Sequence, residues 1–155
     1  ILNKKITKNE KERLDNNFEI FVQKKIKAKV PSKFLLKFLR SQKKFNNLYI
    51  STGTPQKKII KTLKEKNLFN YFKKVYGSPR SKVSHINEIK NYDKKNILFI
   101  GDSLEDYKAA RETNINFILK LNSENLILRK KLNVKKINKF KFLKNHIYLL
   151  QSKNL

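Results

Sequence analysis

Apolar residues recur at three- and four-residue spacing between Thr7 and Lys29, where Leu14, Phe18, Phe21, Val22 and Ile26 form one stripe. That period predicts a helix. Pro31 closes it, and Ser32 offers an N-cap for a second helix striped by Phe34, Leu35, Phe38 and Leu39, ending near Gln42. The run Leu48-Tyr49-Ile50 predicts a strand. Thr54-Pro55 then reads as an N-cap followed by Pro at the first helical position, opening a helix that buries Ile59, Ile60 and Leu63 and ends near Asn67. A short strand is expected at Lys74-Val75-Tyr76 and a helix from about Ser81 to Lys90. Ile97-Leu98-Phe99-Ile100 is the clearest strand, and four consecutive apolar residues fit one covered on both faces. A helix from Leu104 to Thr113 and a strand from Ile115 to Leu119 follow. After Asn122 the pattern predicts a helix, a short strand at Val134 to Ile137 and a final helical turn. No internal repeat is visible.

Strands and helices alternate from Leu48 to Leu119, which is the signature of βαβ units. The fold class is therefore α/β: a Rossmann-like parallel sheet flanked by helices. Ligands of such sheets sit at the carboxyl ends of the strands. Three of those ends carry candidate chemistry. Thr52 presents a hydroxyl after the first strand, and Gly53 lets a ligand approach the backbone. Lys82 stands at the start of the helix after Lys74 to Tyr76, where its charge opposes the macrodipole. Gly101-Asp102-Ser103-Leu104-Glu105-Asp106 places three acids within five residues. Asp102 falls at a strand tip, where a carboxylate can hold Mg²⁺. Asp106 falls one turn into the helix, and Ser103-x-x-Asp106 also reads as a capping box. A hydroxyl, an ammonium and two carboxylates converging on one edge suit phosphoryl oxygens and a divalent cation.

Composition sharpens the picture. The 155 residues amount to about one domain. The absence of Cys excludes a disulfide scaffold and thiol catalysis. No apolar run is long enough to span a membrane, and the first residues lack a signal peptide's apolar stretch. A cytoplasmic protein without a membrane partner is expected. The chain also has no Met. No residue can be an initiator, so a processed chain or a fragment is expected. Lys and Arg number 38 against 12 acids, a net charge of +26. Such a surplus suggests a polyanion partner. Only Arg13, Arg40, Arg80, Arg111 and Arg129 are Arg, however, and Lys is spread along the whole chain. Nucleic-acid readers favour Arg and concentrate charge on one face. Compositional drift is therefore favoured over a nucleic-acid partner.

The motifs resemble those of the haloacid dehalogenase-like hydrolase superfamily, in its helical-cap branch with phosphoglycolate phosphatases and β-phosphoglucomutases. Leu48 to Gly53 is similar to the second motif, with Thr52 as its hydroxyl. Val75 to Lys82 is similar to the third, and Ile97 to Asp106 to the fourth. The resemblance implies a Mg²⁺-dependent phosphatase acting on a small phosphorylated metabolite. It implies that Thr52, Gly53 and Lys82 hold the phosphoryl group. It also implies that Asp102 is a metal ligand and that Asp106 supports the metal site, through water or through Lys82. In that superfamily an aspartate of an Asp-x-Asp motif at a strand end attacks phosphorus. Here the only Asp before Thr52 is Asp15, set in a polar helix, so the first motif is absent. Residues 1–29 are expected to be the last part of a helical cap and 30–155 the core, with the nucleophile lying upstream. Residues 1–155 alone are then expected to form no aspartyl-phosphate. A non-catalytic binding module of the same fold and a basic nucleic-acid-binding protein are the alternatives. Substrate identity and oligomeric state stay open.

Overall fold

The computed structural model describes residues 6–93, 96–143 and 147. The chain forms two compact units, Ile1–Ser32 and Lys33–Leu155. The first contains α1 (Lys8–Ala28). Its start is a capping box: Thr7 Oγ1 accepts from Glu10 N at 3.2 Å, and Glu10 Oε2 accepts from Thr7 N at 2.9 Å. Of the predicted stripe, Leu14 and Phe21 are exposed and Ile26 is half-buried. The side chains of Phe18 and Val22 lie outside those described.

The second unit begins with α2 (Lys33–Gln42). It continues as β1 (Tyr49–Pro55), α3 (Gln56–Glu65), β2 (Lys74–Ser78) and α4 (Lys82–Tyr92). Then come β3 (Leu98–Gly101), α5 (Leu104–Glu112), β4 (Asn116–Lys120), α6 (Leu126–Lys131) and β5 (Lys135–Ile137). Among the described residues every strand pairing is parallel. The strands form two sheets, ordered β1-β2 and β3-β4-β5. Ser51 stands opposite Tyr76 in the first, and Gly101 opposite Leu119 in the second. α4 packs on both β1 and α5.

Ile118, Ile137 and Leu143 form a dry cluster, with Phe38, Leu98, Ile100 and Phe140 packed against it. Each such aliphatic side chain contributes about 1.5–3 kcal/mol when fully buried. Ala109 and Ala110 are buried on α5, whose small side chains let it lie close on β3 and β4.

Three expectations change. Thr54 does not cap a helix. β1 runs on through Pro55, α3 starts at Gln56 without a side-chain cap, and the Thr54 amide instead donates to Thr52 Oγ1 at 3.2 Å. The local turn satisfied by Thr52 wins over the capping signal. β3 is not fully covered: its four residues are all half-buried, because one edge pairs with β4 and the other pairs with no described strand. The last strand starts at Lys135, and a 3-10 turn at Phe140–Phe142 precedes helical Leu143 and Ile147, where the predicted final helical turn falls. Most of the chain after it lies outside the described residues.

Candidate functional site

The carboxyl end of β1 is held by a glutamine acting as a missing strand neighbour. Gln56 Nε2 donates to Val75 O at 2.8 Å, and its Oε1 accepts from Gly77 N at 2.5 Å. A Cβ on Gly77 would lie 2.5 Å from Thr54 O and 2.8 Å from Gln56 Cα. Only glycine therefore lets β2 run this close to the turn after β1. Thr52 is half-buried there, and among the described residues its hydroxyl bonds only with Thr54. Gly53 is exposed, with open space where a Cβ would be.

Lys82 is the first residue of α4, whose N-cap Ser81 accepts from Ser84 N at 3.1 Å. Its Nζ lies 2.5 Å from Asp106 Oδ1. The ammonium is thus turned away from solvent toward the tip of β3. One turn further along α4, His85 is fully buried. It stacks on Tyr76, and its Nδ1 lies 2.9 Å from Ser51 Oγ. Burial, reinforced by Arg80, holds its pKa below the usual imidazole value. These two contacts fasten α4 to the β1-β2 sheet.

Asp106 is buried, and both its oxygens are taken by protein donors. Oδ1 pairs with Lys82, while Oδ2 accepts from Asp102 N (3.2 Å), Ser103 N (3.1 Å) and Ser103 Oγ (2.8 Å). Ser103 Oγ in turn accepts from Asp106 N, closing the capping box read from the sequence. A Cβ on Gly101 would overlap Asp106 Cβ and Cγ. Gly101 is there so that this carboxylate can fold back under the strand tip. Asp106 thus holds Lys82 and the loop, and presents no open oxygen.

Asp102 is the opposite case. Its side chain is exposed, Oδ2 accepts from Asn122 Nδ2 at 3.0 Å, and among the described residues Oδ1 has no hydrogen-bond partner. An open anionic oxygen at a strand tip fits a hard cation such as Mg²⁺. Among the described residues no three of His, Cys, Asp and Glu cluster closely enough to hold a metal ion. Asp102 would therefore be one ligand of an incomplete set. The structure brings Lys82, Asp102 and Asp106 together around one loop and leaves Thr52 and Gly53 on the neighbouring sheet. Sequence reasoning missed Asn122, Asn125, Ser51 and His85. Two asparagines three apart after a strand are a turn signal that points to the first pair. Nothing local marks the second.

With this geometry in place, the family model for haloacid dehalogenase-like hydrolases matches residues 2–120. The chain belongs to this family. Solved structures agree in fold. A haloacid dehalogenase-like hydrolase from Streptococcus pneumoniae aligns with 90% of this chain and 71% of its own, at 18% identity and a TM-score of 0.70. A candidate phosphoglycolate phosphatase from Lactobacillus delbrueckii aligns over 91% and 64%, at 17% identity and a TM-score of 0.71. A hydrolase of the same superfamily from Bacillus subtilis, solved bound to magnesium, aligns over 75% and 54%, at 18% identity and a TM-score of 0.61. The chain thus spans less than two thirds of the last two proteins. No curated protein matches it. No helix among the described residues is long and apolar enough to cross a membrane.

Proposed function

We propose that this chain is the phosphate- and metal-binding part of a Mg²⁺-dependent phosphatase of small phosphorylated metabolites. The observation that carries the reading is the pair of half-buried Lys82 with buried Asp106, beside the open oxygen of Asp102. A preorganised cation next to a free carboxylate oxygen suits transfer of a dianionic group. Lys82 would donate to phosphoryl oxygens and Thr52 would supply a hydroxyl. The exposed Gly53 would leave the backbone approachable. Asp102 would hold Mg²⁺, which when bound neutralises charge on the phosphoryl group. Asp106 keeps Lys82 in place. No described residue offers a second carboxylate as nucleophile beside this set. In this reading the nucleophile sits on a further parallel strand, outside residues 1–155, seated between β1 and β3. Two observations support that reading: among the described residues β1 and β3 each pair with a strand on one edge only, and α4 packs on both β1 and α5. The helix α1 fits the end of a cap, and the Lys-rich surface fits anionic substrates better than nucleic acid.

The test compares residues 1–155 with the same chain preceded by an apolar strand ending in Asp-x-Asp. The short chain should not hydrolyse a generic phosphomonoester, and the longer one should, with Mg²⁺. In the longer protein, Lys82→Ala should lower kcat by about 10²-fold or more, the scale seen for other electrostatic catalytic groups. Asp102→Asn should weaken both rate and Mg²⁺ dependence. An unchanged rate and metal dependence in Asp102→Asn would overturn the assignment.

A further inference from the structure

Past the tip of β3, the turn after β4 closes around Asp102. Asn125 is buried, and its Nδ2 donates to Asp102 O at 2.9 Å and to Lys120 O at 2.8 Å. Its Oδ1 accepts from Asn122 N at 3.0 Å. Asn122 answers through Oδ1, which accepts from Glu124 N and Asn125 N, both at 2.9 Å. Only the Nδ2 group of Asn122 points outward, and it donates to Asp102 Oδ2. Two carboxamides thus lock each other, so the donor facing Asp102 is fixed before any ligand arrives. An exposed hydrogen bond made by a free side chain is worth little, but here the ordering cost is already met by the turn.

We propose that Asn122, held by Asn125, is a specificity-determining residue that makes Asp102 offer a divalent cation one oxygen rather than two. The proposal rests on the reading of Asp102 as a cation ligand. With Oδ2 engaged by Asn122, only Oδ1 is open. Mg²⁺ takes few carboxylate oxygens at strict octahedral geometry and keeps several waters. Ca²⁺ takes more oxygens and readily binds a carboxylate through both. The Asn122 contact therefore favours Mg²⁺ over Ca²⁺. Asn125 acts through Asn122 and through the Asp102 carbonyl, and is a positioning residue.

The experiment titrates the 155-residue chain preceded by the apolar strand ending in Asp-x-Asp, which completes the ligand set of the proposed function, with MgCl₂ and, separately, CaCl₂, following the Asp102 and Ser103 amides and the Asn122 side-chain amide by NMR. Wild type, Asn122→Ala and Asn122→Ser are compared. The serine keeps an oxygen for the turn amides but cannot reach Asp102. Unchanged Lys120 and Asn125 resonances report that the turn is intact. In both variants Mg²⁺ affinity should fall about 10-fold, within the range for second-layer ligand partners, while Ca²⁺ affinity holds or rises. A Mg²⁺-to-Ca²⁺ ratio that stays constant while Asp102→Asn abolishes binding overturns the proposal and leaves Asp102 a ligand. If neither cation moves the Asp102 resonances of wild type, the ligand reading fails and the proposal falls with it.

Discussion

Gly101 and Asp106 occupy the same space, which is why one of them has no side chain. In Gly101→Ala the new methyl would displace the Asp106 carboxylate, and with it the partner of Lys82 and the cap of α5. Overpacking of this kind costs about 1–3 kcal/mol, so the urea midpoint should fall with an unchanged slope. A variant as stable as wild type would mean that the loop has another way to seat Asp106. The Gly-Asp-Ser-x-x-Asp string was legible because it is local: cap, glycine and carboxylate lie within six residues. His85 was not legible. Its partners Ser51 and Tyr76 come from other strands, and only the packed sheet brings them together. The same holds for Asn122, which shows its value only once Asp102 stands beside it.

Among the elements, α4 packs on both β1 and α5, and Glu88 is its outer anchor. Its carboxylate pairs with Lys74 of β2 at 2.5 Å and with Arg80 at 2.6 Å. The hydrogen bond from Lys74, then that from Arg80, pulls its pKa from the ordinary 4.5 down to about 2. A carboxyl held lower in the fold than in the unfolded chain adds stability above about pH 4.5. That contribution is lost as pH falls toward 2. Glu88→Gln should therefore flatten the dependence of stability on pH between 4.5 and 2, measured by denaturant titration across that window. Parallel acid limbs in variant and wild type would contradict it. Most element positions were readable because hydrophobic period and turn residues agree. The start of α3 was misread because Thr54-Pro55 satisfies a capping rule on paper, whereas Thr52 claims the Thr54 amide in the fold.

At the scale of the whole molecule, the charge of +26 is spread along the chain rather than gathered in one segment. Under the proposed function such a field speeds encounter with anionic substrates. The screening length shrinks from about 30 Å at 0.01 M ionic strength to about 8 Å at 0.15 M. In a protein carrying the nucleophile, kcat/KM should fall over that range while kcat holds. A salt-independent kcat/KM would show that the field does not reach the site. The α/β class was legible from alternation alone. The separation into two sheets was not, because hydrophobic pattern announces strands but does not say which edges meet.

That separation also divides the molecule in time. The βαβ unit from β1 to β2 and the one from β3 to β5 each close locally, and α4 is the main structural bridge between them. Native-state hydrogen exchange should then find two cooperative openings: amides of β1 and β2 released together, and those of β3, β4 and β5 together at a different free energy. Removing the Lys82–Asp106 tie by Asp106→Asn should draw those two values further apart, and a single shared opening in both proteins would mean that the halves fold as one.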